Sequence, residues 1–193
     1  HLVDDKTRKG LIHMKAQTQN LDFLMAMLGL NDYCIPHGIE ATGTATVQGT
    51  QYSYDGTIRQ GRGLLTMQGS YDTRGDHYQA DLRMDSLNLH DFMPKDSLYL
   101  FSGDLIAQGQ GTDLFANRTE AHIQANIRQL QYGAIDIQGV GAEVQLQNHL
   151  LKGSFSSDNP YLTLLGDVDG YIAQDSLSGA MDMKVSKLDL KQL

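Results

Sequence analysis

The chain has 193 residues, of which 40% are hydrophobic, 20 are Gly, only 3 are Pro and none is Trp; this is enough for a sizeable core in one domain and suits many strands joined by Gly and Asp/Asn turns. A formal charge of −8, with acidic and basic residues interspersed and no basic stripe, excludes a nucleic-acid backbone as partner. A single cysteine, Cys34, excludes an intramolecular disulfide and reads as a small buried hydrophobe, while the longest apolar run, 21–30, is too short to span a bilayer and already contains Asp22.

The chain begins at His1 without a leader, so residues 1–193 are read as a single elongated β domain, a fragment of a longer repeat protein. Gly10 to Ala16 predicts a first strand, with Ile12, Met14 and Ala16 on one face. The period then changes. Leu21, Leu24, Met25 and Leu28 share a helical face, with Asn20 as N-cap and Gly29 as stop, predicting one short helix near residues 20–28.

Alternation resumes from Gly38 to Gly49, where Gly and Thr inside the run predict a bulge or bend. Leu64 to Tyr71 and His77 to Met84 form a predicted hairpin around the turn residues 72–76, and Leu98 to Gln108 follows. Ala121 to Arg128, Ile135 to Gln138, Glu143 to Gln147, Leu162 to Leu164 and Met181 to Ser186 each alternate apolar and polar residues. Connections this short favour antiparallel neighbours. Leu87 to Phe92 and Leu188 to Leu193 share a Leu-x-Leu-x-x-(Phe/Leu) phrase at the end of a strand-like run, an apolar clasp closing a block of strands.

The chemistry-bearing residues are scattered. No two of the seven histidines have the i, i+4 spacing of a zinc site, and His13 and His122 alternate with apolar neighbours, on the polar face. Asp72, Asp76, Asp158, Asp167, Asp169 and Asp175 read as turn residues. Gly109-Gln110-Gly111 lacks the third glycine and helix of a dinucleotide fingerprint, and no Gly-x-Ser-x-Gly elbow is present. No catalytic residue, metal ligand or cofactor is therefore assigned, and the chain is expected not to be an enzyme.

The fold expected is mostly β: about a dozen antiparallel strands of five to six residues, curved into an open groove or half-barrel, with a closed two-sheet sandwich as the alternative. The apolar side of that sheet is the candidate site. Leu105, Ala107, Ile123, Ala125, Ile127, Ile135, Ile137, Val144, Leu146, Phe155, Leu162, Leu164, Val168, Ile172, Met181, Met183 and Val185 would line it, with Gln124, Asn126, Asp136, Gln145, Asp182 and Lys184 facing water. Its aliphatic and Met-rich composition suits acyl chains. A different class of function, a carbohydrate-binding or adhesin-like module of the cell surface, would instead use Tyr52, Tyr54, Tyr71 and Tyr78 as a sugar platform.

The phrases Asp96-Ser97-Leu98, Gly109-Gln110-Gly111-Thr112-Asp113-Leu114, Ile127 to Gly133, Leu150 to Pro160 and Ser186 to Leu190 resemble the repeat region of TamB and its AsmA-like relatives of the Gram-negative envelope, the translocation and assembly module. The likeness is best over residues 80–193. It implies a β-taco, an elongated sheet folded into a U with an apolar inner face, in a periplasmic protein anchored to the inner membrane through a segment outside this sequence. It further implies outer-membrane biogenesis: carriage of phospholipid acyl chains between the membranes, or assembly of outer-membrane proteins with an outer-membrane assembly partner. No catalytic residues come with it.

Overall fold

The computed structural model describes residues 9–18, 32–113, 115–173 and 176–189. Their strands are β1 (Lys9–Gln17), β2 (Glu40–Gln48), β3 (Gln51–Gln60), β4 (Gly63–Asp72), β5 (His77–Asn88), β6 (Leu98–Gln110), β7 (Glu120–Tyr132), β8 (Ile135–Gln147), β9 (Leu150–Asp158), β10 (Leu162–Ala173) and β11 (Ser176–Leu188). Each pairs antiparallel with the next, in the order β1 to β11, as one sheet that does not close on itself. This is the open, curved antiparallel sheet expected from the alternation; the sandwich alternative is set aside.

Tight turns make the meander possible. Gly133 (φ 57°) turns β7 into β8, and Asn148 (φ 51°) with His149 (φ 64°) turns β8 into β9, both residues in the left-handed region that a two-residue hairpin of matching twist requires.

Several expectations need correction. The strands run 9 to 13 residues, well beyond five to six. The Gly/Thr run of β2 carries no bulge: its register with β1 and β3 is continuous, and Gly43 is there because a Cβ would stand 2.9 Å from the Asp55 carbonyl oxygen. Register shifts fall instead at Met84/Leu87 of β5, around Gly103 and Leu98 of β6, and at Thr163/Leu164 of β10. Asp167 and Asp169 lie inside β10, opposite Asp182 and Ala180, because the period-2 pattern overrides their turn propensity. Asp175 and the predicted helix at 20–28 lie outside the described residues. Cys34 is half-buried, its Sγ–H donating to the Asp91 carbonyl oxygen at 2.8 Å. The clasp at Leu87 to Phe92 is the end of β5 followed by a 3-10 turn at Leu89–Asp91, with Leu87 buried; most of its second copy lies outside the described residues.

Arg128 is the extra residue where β7 slips against β6. Its guanidinium donates to both Asp104 carboxylate oxygens (3.0 and 2.8 Å), to Asp85 (2.5 Å) and to the Met84 carbonyl oxygen (2.9 Å), tying three strands together across their bulges. Arg128→Ala removes the Arg128–Asp104 pair and leaves the two carboxylates with Arg83, whose Nε lies 3.3 Å from Asp85 and 4.0 Å from Asp104. With both sides of the pair about one-third exposed, screening holds the expected loss to about 1–2 kcal/mol. Urea unfolding checks this; an unchanged midpoint would make the cluster incidental.

Candidate functional site

Cross-strand partners share a face, so the register builds the two sides of the sheet row by row. One row reads Ile12, Ala45, Tyr54, Gly69, Ala80, Ala107, Ile123, Val144, Gly153, Val168, Met181, one residue from every strand. The row above it reads Met14, Gly43, Gly56, Met67, Leu82, Leu105, Ala125, Ala142, Phe155, Gly166, Met183. Neither contains a charged residue. Eleven strands at about 4.8 Å each carry this strip roughly 48 Å along the sheet.

All seventeen residues expected to share the apolar side do so. Ile127, Leu164 and Val185 stand in the next row up, and Leu146 in the row below. Ile135 and Ile137 rejoin it across the bulges: Ile137 pairs Leu130, which pairs Phe101, and the Phe101 ring lies against Gly103 of the apolar side. Leu162 and Ile172 hold the alternation of β10. Gln124, Asn126, Asp136, Gln145, Asp182 and Lys184 are all on the opposite side, as are His13 and His122.

Among the described residues no second layer covers the apolar strip. Leu146 is 4% exposed and Leu87 6%, but most of the strip is half-buried by its own neighbours, and at the β11 edge Met181 is 60% and Met183 53% exposed. Its glycines seat aromatic rings. A Cβ on Gly166 would meet the Phe155 ring at 2.3 Å, one on Gly69 the Tyr54 ring at 2.5 Å, and one on Gly109 the Tyr78 hydroxyl at 2.6 Å. These cross-strand rings keep the strip smooth and pin the register.

The structure also brings the four tyrosines together, on this same side: Tyr52, Tyr71 and Tyr78 pair across β3, β4 and β5, with Tyr54 one row up. The Tyr71 hydroxyl donates to Asp76 at 3.0 Å, and that hydrogen bond, to a group that favours the neutral phenol, raises its pKa above the ordinary value.

Sequence reasoning missed the hollows of the polar side. The larger, about 830 Å³, is framed by Gln48, Gln51, Gln79, Gln108, Gln110 and His122, and the smaller, about 590 Å³, by Gln124, Glu143, Ser154 and Asp167. They depend on curvature across several strands, for which the alternation carries no signal. Between them His122 Nε2 meets Glu143 at 2.7 Å, and Gln145 donates to the same carboxylate at 3.0 Å. The His122 contact first, and then Gln145, lowers the Glu143 pKa below its ordinary 4.5. A depressed carboxylate favours the fold above its unfolded pKa and loses that contribution as pH falls through the folded value. In a carbon-detected NMR titration Glu143 should therefore titrate below 4.5, and His122→Ala should raise it; titration at the ordinary value in both proteins would refute the contact.

Among the described residues no group of three or more His, Cys, Asp or Glu is placed to hold a metal ion, and no helix is long and apolar enough to cross a membrane. The chain matches no protein-family model, no curated protein and no solved structure.

Proposed function

We propose that this protein is a lipid-handling component of the Gram-negative envelope, not an enzyme, and that its apolar strip carries phospholipid acyl chains between the inner and outer membranes. The observation that carries this reading is the strip itself: uncharged in its central rows, continuous over eleven strands, and not covered by any of the described residues. Contiguous exposed apolar surface on this scale marks a binding surface rather than a solvent-facing one. Burying one methylene is worth about 0.8 kcal/mol, so a dozen half-covered methylenes would contribute roughly 5 kcal/mol. Headgroups would stay at the open edge, and chains would slide, because the rows offer no deep pocket to hold one.

The envelope setting rests on the resemblance of residues 80–193 to TamB and AsmA-like repeats. On that reading the protein is periplasmic, held at the inner membrane through a segment outside this sequence, and meets an outer-membrane assembly protein as partner. The test is acquisition of fluorescent phospholipid from donor vesicles and delivery to acceptors by the 193-residue chain. Transfer above the spontaneous rate is expected; none would defeat the reading. The tyrosine row favours one other reading, a sugar platform. Glycan-array binding lost on replacing Tyr52 and Tyr78, without lipid transfer, would establish that one instead.

A further inference from the structure

The polar side of the sheet is sorted along its strands. The larger of its two hollows, about 830 Å³, lies over β2 to β8, well inside the sheet. Two neighbouring rows of cross-strand partners floor it. One reads Ser70, Gln79, Gln108, His122, Gln145, and the next Gln51, Asp72, His77, Gln110, Glu120, Gln147. In the other direction the same strands carry Asp55, Asp81 and Glu143 one row on, then Arg83 and Asp104. Charge suits a face that only meets water, yet the hollow is lined by seven glutamines. Among the described residues its acidic groups are Asp72 and Glu120, and no Lys or Arg lines it.

Three of those amides are uncommitted. Gln145 donates to Glu143 at 3.0 Å and Gln147 to Glu120 at 3.1 Å, but the side chains of Gln48, Gln79 and Gln110 make no hydrogen bond to any described residue. Each offers two N–H donors and a carbonyl oxygen that accepts. Partners across strands stand about 4.8 Å apart and the two rows roughly 7 Å apart, so the hollow presents a regular grid of donors and acceptors.

We propose that this hollow is a glycan-binding site: a linear, uncharged sugar chain lies across the strands, its hydroxyls hydrogen-bonded to the amides of Gln48, Gln79 and Gln110. A hydroxyl donates and accepts, as an amide does, and a repeating chain meets a repeating grid. The carboxylates and the lack of a cation turn away polymers that carry phosphate or carboxylate. An extended peptide fits less well, since peptides add to a sheet edge and seat side chains in pockets, and this floor offers neither. The site is separate from the tyrosine row, whose side chains project from the opposite side. It does not rest on the lipid reading.

The test is an NMR titration of the 193-residue chain, labelled at its glutamine amides, with maltohexaose, cellohexaose and chitohexaose. Saturable shifts of the Gln79 and Gln110 side-chain signals are expected with at least one of these sugars, insensitive to added salt because no ion pair forms. A response to chitohexaose alone would assign an N-acetylated chain, and a response to the other two a plain glucan. Gln79→Ala with Gln110→Ala should weaken binding roughly ten-fold or more and leave the fold intact, since neither amide holds a partner. Gln79→Glu with Gln110→Glu keeps the shape, loses the donors and should act in the same direction. No shift up to about 10 mM sugar, shifts with anionic polygalacturonate only, or binding retained by both double variants would overturn the proposal.

Discussion

Gly109→Val should be the most damaging single substitution in the sheet. A Cβ at this position would stand 2.2 Å from the Glu120 carbonyl oxygen and 2.6 Å from the Tyr78 hydroxyl, so both the β7 backbone and the ring that covers the glycine must move. Overpacking alone costs about 1–3 kcal/mol, and displacing the ring also breaks the row of Tyr52, Tyr71 and Tyr78, so a loss of about 3 kcal/mol or more is expected. Gly141→Ala is the control, because its nearest contact is the Ser156 hydroxyl at 3.2 Å, a small side chain able to turn away. Chemical denaturation should lower the midpoint of the first variant well below that of the second; equal midpoints would mean that the ring-on-glycine contacts do not hold the register.

Ile123→Asp should separate binding from folding. Ile123 is 37% exposed, between Ala107 and Val144 in the central row, so a carboxylate there stays hydrated in the free protein and the fold should lose little. An acyl chain laid over it would strip that water. Desolvating an unpaired polar group costs about 2–7 kcal/mol, which cancels the gain from roughly three to nine methylenes. Lipid transfer should fall ten-fold or more while the unfolding free energy from urea denaturation changes by less than about 1 kcal/mol. Leu164→Asp, a row higher, should act in the same direction. Transfer undiminished in both variants would move the lipid path off this face.

The faces of the sheet were legible because most strands keep a strict period of two. In Ala121 to Arg128 every second residue lands on the apolar side, and the same holds in Met181 to Val185. Strand length was harder, and the bulges explain why. In β8 the apolar positions are Ile135 and Ile137 and then Val140, Val144 and Leu146, since Gly139 (φ 62°) changes the parity midway; one strand therefore reads as two. Strand β3 escaped notice because Tyr52, Tyr54, Gly56 and Ile58 fill its apolar positions, and a glycine in that series hides the beat. The hollows over the glutamines of the polar side arise from neighbours far apart in the chain, which no local pattern encodes.

The central claim, that the apolar side and not the polar side meets lipid, is tested most directly by photo-crosslinking to phospholipid from single positions on strand β7. Ile123 and Ile127 lie on the apolar side and Gln124 and Asn126 on the other, all within a few residues of the same strand. Phospholipid adducts from Ile123 and Ile127, with little from Gln124 and Asn126, are the predicted result. Equal labelling from both sides, or adducts confined to protein, would contradict it and return the strip to being an ordinary packing surface.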